Sequence, residues 1–251
     1  MSKSSGLGDQ LLIAGYDLGE DIGQVGNIGG GNAPIPCTGI TKSAMQRLGG
    51  KRDGRMEYTA YFNPSAGRVH ERLSPLPRAD VLVTYLHTET LGKPAACCVA
   101  KQLNYDGTRG DDGSFRFAVA AQANGFGLEW GRQLTPGVRD DTGATNGTGV
   151  DFGTGSTTFG LQAYLHVTEF TGTDVTIKLQ QSSDDGSADA YADVTGGAFT
   201  EVTSGPTWER IATADDQTVE RYLRVVTTTT AGFTSLSFQV TVARNDAVVT
   251  F

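Results

Sequence analysis

Three histidines, His70, His87 and His166, are the side chains of this 251-residue chain best suited to proton transfer near neutral pH. A catalytic histidine needs a nucleophile or carboxylate within hydrogen-bond reach. None of the three sits in a nucleophile elbow, a zinc-ligand spacing or a phosphate loop, so all read as structural or surface residues. The run Asp184-Asp185-Gly186-Ser187-Ala188-Asp189 gathers carboxylates in a turn, as a hard cation such as Ca²⁺ would require. It lacks the EF-hand spacing and its terminal bidentate Glu, and a solvated hairpin tip is the preferred reading of Asp184, Asp185 and Asp189. Tyr191 and Trp208 offer flat apolar faces on which a sugar ring can stack, or else they are core aromatics of a β-sandwich. Gly23, Gly26 and Gly29 repeat every third residue, but no strand-loop-helix unit carries them, which excludes a dinucleotide site. No enzyme, cofactor or resident metal is expected.

Composition points the same way. Charged residues make up 19 % of the chain, and 34 residues are glycine, a pattern of short strands and tight turns. The net charge is −8, and residues 157–251 hold five Lys and Arg against twelve Asp and Glu. An acidic chain without a basic stripe is a poor nucleic-acid binder. Three cysteines, Cys37, Cys97 and Cys98, are too few for a disulfide framework and read as reduced thiols. The short apolar run at residues 11–14 does not make a signal peptide, and no run approaches a membrane span; both predict soluble synthesis in a cytoplasm.

The elements organise around residues 53–85. Met56, Tyr58, Ala60 and Phe62 alternate on one side of a strand. Asn63 is a good N-cap, Pro64 suits the first helical position, and Ala66, Val69 and Leu73 give a short helix. Pro75 and Pro77 stop it. Residues 81–86 (Val-Leu-Val-Thr-Tyr-Leu) are apolar on both faces. They form either an edge seam, with Val81, Val83 and Tyr85 meeting a neighbouring copy, or a central strand buried on both sides.

Around that unit, residues 1–10 read as a free arm and residues 19–32 as a flexible glycine-rich connection. Residues 33–54 read as a long irregular loop carrying Ile35, Ile40, Met45 and Leu48, which either folds back on its own domain or contacts a neighbouring copy. Residues 95–105 and 114–123 are expected as strands around a turn at 106–113, with Phe115, Phe117, Val119 and Ala121 on one face. Residues 126–134, with Trp130, are expected to close the domain as a last strand. Residues 136–156 read as a linker. Beyond it, Phe159, Leu161, Ala163, Leu165 and Val167 line one strand, Val175, Ile177 and Leu179 another, Leu223 and Val225 a third, and Leu236, Phe238, Val240 and Val242 a fourth. The fold class is all-β with one short helix. Its expected divisions are a first domain at 1–135, a linker at 136–156, an acidic β-sandwich at 157–246 and a tail at 247–251.

The stretch 53–85 resembles the major tail protein, the tail tube subunit, of long-tailed, siphovirus-type bacteriophages. The resemblance extends through residues 6–23, 104–115, 121–125 and 127–131 and covers roughly residues 6–245. It implies a tail-tube-like β-sandwich or barrel followed by a decoration domain. It also implies hexameric rings stacked around a DNA-conducting lumen that does not bind DNA specifically, and a place in the virion tail beside tape-measure, terminator and distal tail proteins. A long loop between early strands packs onto the adjacent ring in such tubes, which assigns Ile35, Ile40, Met45, Leu48 and, from the arm, Leu7 to inter-ring contacts. The alternative is a carbohydrate-binding adhesion module, with the second sandwich reading a host-surface glycan.

Overall fold

In a computed structural model, which describes residues 5–153 and 155–249, the chain is built almost wholly of β-strands. They are β1 (Gln10–Ile13), β2 (Tyr16–Asp17), β3 (Ile22–Pro36), β4 (Arg47–Tyr61), β5 (Val81–Leu86), β6 (Pro94–Gln102), β7 (Asp106–Arg109), β8 (Phe115–Ala123) and β9 (Glu129–Gln133). After them come β10 (Arg139–Asp141), β11 (Val150–Asp151), β12 (Leu161–Gly172), β13 (Thr176–Ser182), β14 (Ala192–Ala198), β15 (Thr207–Ala212), β16 (Tyr222–Thr228) and β17 (Phe233–Arg244). One short helix, α1 (Val69–Leu73), lies between β4 and β5. The all-β expectation stands.

The division into compact units differs from the expected one. One unit takes residues 1–20, 82–97 and 130–251; the other takes 21–81 and 98–129. The expected break at 136–156 fails because that segment is held by strand pairing. Arg139 to Asp141 pair with Phe238 to Leu236 of β17, and Val150 and Asp151 pair with Leu223 and Tyr222 of β16. Its polar residues find partners: Arg139 meets Asp141 at 2.6 Å, and Thr227 Oγ1 donates to Asp141 at 3.1 Å. Few apolar side chains are needed when the backbone is satisfied this way.

The larger unit is a two-sheet sandwich. One sheet runs β15-β12-β17-β9-β6-β5-β1-β2, and a four-stranded sheet runs β11-β16-β13-β14. The core between them holds Leu161, Ala163, Leu165 and Val167 from β12, Ile177 and Leu179 from β13, Leu223 and Val225 from β16, and Leu236, Phe238, Val240 and Val242 from β17. This is the alternation expected from the sequence, with one face of each strand inward.

In the smaller unit β3 pairs with β4, β4 with β8, and β8 with β7 and the end of β6. Met56, Tyr58 and Ala60 of β4 and Phe117, Val119 and Ala121 of β8 are buried; Phe62 lies beyond the strand and is exposed. Residues 19–32, expected as a flexible connection, are instead mostly strand β3. Ile22, Val25 and Ile28 are three apart, a spacing foreign to a regular strand. They nevertheless stand opposite Ala60, Tyr58 and Met56, because the register slips once between Ile22 and Gln24 and again between Val25 and Asn27. Two bulges convert a period of three on one strand into the period of two on its partner. Gly54 is required by close approach: a Cβ there would lie 2.5 Å from Leu128 N and 2.6 Å from Leu128 Cβ.

The helix starts later than Asn63 and Pro64 predict. Asn63 Oδ1 accepts the Ser65 N–H at 3.1 Å and makes an Asx turn, while Gly67 takes φ +75° and prevents helix until Val69. Val69 and Leu73 are buried as expected.

Candidate assembly surface

The loop expected at 33–54 is the tip of a long antiparallel hairpin. β3 and β4 stay paired out to Pro36↔Arg47, and every residue from 31 to 49 is exposed. The turn closes on itself: Cys37 N–H donates to Gln46 O at 3.0 Å and Gln46 N–H to Thr38 Oγ1 at 2.8 Å. Its apolar side chains therefore cannot fold back between the strands. Ile40 is as open as in an extended peptide, and Ile35, Met45 and Leu48 are 49 %, 60 % and 60 % exposed. Four large apolar side chains on one hairpin end form a patch of the kind that marks contact with another molecule.

Two strand edges are open among the described residues: β3 pairs only with β4, and β7, toward the base of the hairpin, pairs only with β8. β3 spans fifteen residues without one charged side chain, whereas strand edges are ordinarily guarded by charge. The sequence signals for this surface were the triplet spacing of Ile22, Val25 and Ile28 and the absence of charge from 22 to 36.

Residues 81–86 do not supply a seam. Leu86 to Val83 pair with Gln10 to Ile13 of β1, and β6 lies on the other side. Val81 and Val83 are buried, and Tyr85 is half-buried with its hydroxyl donating to Asp9. Both edges are occupied, so the central-strand alternative holds. Nor is the described part of the arm free. Asp9 accepts the Thr88 N–H at 3.1 Å and meets His87 Nδ1 at 3.1 Å, and Gln10 Nε2 donates to Glu89 at 3.0 Å. Leu7, just before this clamp, stays 88 % exposed.

The candidate chemical residues do not converge. His166 is fully buried: Nδ1 accepts the Gly15 N–H at 3.1 Å, so the ring proton sits on Nε2 and donates to Thr84 Oγ1 at 2.9 Å. Burial drives its pKa down to about 3, which keeps the ring neutral. His70 lies in an aromatic cluster, its Nδ1 3.3 Å from Tyr105 OH, with Tyr105 stacked on Phe117 at 4.0 Å. Asp184 spends its oxygens on the N–H groups of Ser187, Ala188 and Asp189, and Asp189 accepts the Ser183 N–H. Those bonds hold both carboxyls below their usual range. Asp185 accepts from Tyr191 OH, and no cluster that could hold a metal ion occurs among the described residues.

The two sugar-platform candidates meet different surroundings. The Arg224 guanidinium covers the Tyr191 ring at 4.1 Å. Trp208 pairs with His166 across β15 and β12, on the face opposite Leu165 and Glu209. Trp208 is half-buried and, with Thr200, Thr203, Thr207 and Glu209, lines an open cleft of about 380 Å³. Sequence reasoning missed a second, cationic cleft built on Trp130 and Arg132 of β9 with Phe152 and Arg244. Its parts are far apart in the chain, so no spacing announces it.

No protein-family model and no curated protein matches this chain. Among solved structures, it is similar to the phage SPP1 Dit (gp 19.1) protein, described as a hub adsorption apparatus of phages infecting Gram-positive hosts, at 12 % identity and TM-score 0.34 over 94 % of this chain and 99 % of that one. It is also similar to chains of the phage p2 baseplate in its activated conformation, with Sr and with Ca, each at 11 % identity over 96 % of this chain and 99 % of that one. Their TM-scores are 0.35 and 0.33. Scores this low mark partial superposition and carry no assignment.

Proposed function

We propose that this chain is a structural virion protein of a bacteriophage tail whose work is to bind copies of itself. The observation that carries the reading is the β3–β4 hairpin end, with Ile35, Ile40, Met45 and Leu48 presented on an unbroken exposed run from 31 to 49. In a stack of hexameric rings each tip would cover apolar surface on the next ring, with Leu7 adding to the contact. Within a ring, the uncharged edge of β3 would meet the free edge of β7 on the next copy, a head-to-tail pairing that closes on itself. Such contacts are gained only on incorporation, which keeps subunits dispersed at low concentration.

No substrate chemistry is needed, and the acidic balance suits a wall past which DNA slides without sticking. The reading extends the sequence resemblance to tail tube subunits and places the protein in the virion tail beside tape-measure, terminator and distal tail proteins. Negative-stain microscopy and mass photometry of the purified chain over a concentration series test it. Rings or tubes support the proposal, single rings that never stack would restrict it to a ring-forming tail component, and a monomer at every concentration would refute it.

A further inference from the structure

The sheet of β3, β4, β8 and β7 ends in two hairpins that point opposite ways. β4 pairs with β8 from Arg55↔Gln122 to Tyr61↔Arg116, and the turn at 110–113 that joins β7 to β8 lies just beyond the Tyr61 end. At the other end β8 stops at Ala123, and residues 47–54 of β4 run on with β3 to the exposed tip. β4 is fifteen residues long, which sets the two ends about 45 Å apart along the strand.

Those ends differ in charge. From Ile22 to Arg52 the chain carries Lys42, Arg47, Lys51 and Arg52 and no acidic residue, in a protein of net charge −8. Arg52 meets Glu129 at 3.4 Å. Lys42, Arg47 and Lys51 are exposed, and none has an ion-pair partner among the described residues. The far turn presents Asp111 and Asp112, both exposed. It is held shut by Gly110 N–H donating to Ser114 O at 2.8 Å, Gly113 N–H to Gly110 O at 3.0 Å and Ser114 N–H to Asp112 Oδ1 at 2.9 Å. Arg109 and Arg116 lie back over the rings of Phe115 and Tyr61, at 4.7 and 5.3 Å. The outermost charges of the turn are therefore the two carboxylates. Tyr61 and Phe62, at the same end, are 43 % and 40 % exposed.

We infer that the hairpin tip of one copy docks on the 110–113 turn of the next. Lys42 and Arg47 would face Asp111 and Asp112, and the apolar side chains of the tip would cover Tyr61 and Phe62. The occupant is a second copy because the two ends of one chain cannot reach each other. Opposite charges at opposite ends of one sheet make a head-to-tail contact that repeats along an axis. Two tips, or two acidic turns, repel, so every copy in a stack points the same way. The pairing presupposes the self-assembly proposed above and names its axial contact.

Polymer formation is followed by light scattering and negative-stain microscopy for the unaltered chain, K42E/R47E, D111K/D112K and the two sets combined, with circular dichroism to check each fold. Either reversal alone should raise the concentration at which polymer forms by about tenfold or more. The combination restores opposite charges with their signs exchanged and should return that concentration to within about threefold of the unaltered chain. In the unaltered chain it should rise as salt goes from about 50 to about 500 mM, a check that needs no variant. The pairing fails, with self-assembly intact, if either folded reversal polymerises as readily as the unaltered chain. It fails likewise if the combination does no better than the worse single reversal, or if salt has no effect. An unaltered chain that never assembles refutes self-assembly and the pairing with it.

Discussion

Lowering the pH from 6.5 should destabilise this protein through His166. The ring is fully buried, accepts from Gly15 and donates to Thr84, and its pKa falls from 6.5 to about 3 through burial. The unfolded chain therefore binds a proton near 6.5 that the folded chain refuses until about 3. Stability is whole above that window and falls as pH drops through it, by about 1.4 kcal/mol per pH unit, or roughly 2–3 kcal/mol on reaching pH ~4.5. That is a large share of a domain's ordinary 5–15 kcal/mol. Urea unfolding followed by circular dichroism from pH 7 down to about 4.5 measures the slope. The His166→Gln chain, whose amide can accept and donate in the same places without titrating, should give a flatter curve. Parallel curves for the two chains, or an imidazole resonance of His166 with a midpoint above about 5, would refute the reasoning.

Further expectations concern the hairpin, the turns and the thiols. Ile40→Ser should leave the monomer's unfolding free energy within about 0.5 kcal/mol, because the side chain touches nothing. It should raise the concentration needed for assembly roughly ten- to hundredfold, since burying such a side chain contributes about 1.5–3 kcal/mol; light scattering reads it. Gly54→Ala should cost about 1–3 kcal/mol in urea unfolding, because the new Cβ meets Leu128, whose backbone must shift. Of the three thiols, Cys37 is exposed while Cys97 and Cys98 are buried, with the Cys98 thiol pushed up to about 12. One thiol per chain should react quickly with Ellman's reagent, and assembly should slow that reaction. Extending the unfolding series below pH 4 should reveal a second loss of stability. Asp174 and Asp184 are held low by backbone N–H groups, so their contribution persists above the usual carboxylate value and disappears as pH falls through the depressed one.

The sandwich was legible because β12, β13, β16 and β17 each place alternate apolar residues in the core between the two sheets, although β12 and β17 bury much of their other face as well. Residues 136–156 and β3 were not, for a shared reason: their places in the fold are fixed by backbone pairing rather than by buried side chains. At β3, the bulges between Ile22 and Gln24 and between Val25 and Asn27 also disguised a strand as a triplet repeat. Residues 81–86 read correctly as a strand, yet whether its edges were free depended on Gln10–Ile13, some seventy residues earlier in the chain. The tip residues Ile35, Ile40, Met45 and Leu48 were picked out because apolar residues in a polar stretch need a surface to pack on. The cleft at Trp130 was invisible because β9, β17 and residue 152 meet only in the folded sheet.

The most direct test of the account is the mass of the purified chain as a function of concentration, with the charged tip variant I40D/L48D alongside. The account predicts that the unaltered chain grows into rings or longer polymers while the variant stays monomeric and fully folded. An unaltered chain that remains a single particle throughout, or a variant that assembles equally well, would contradict it.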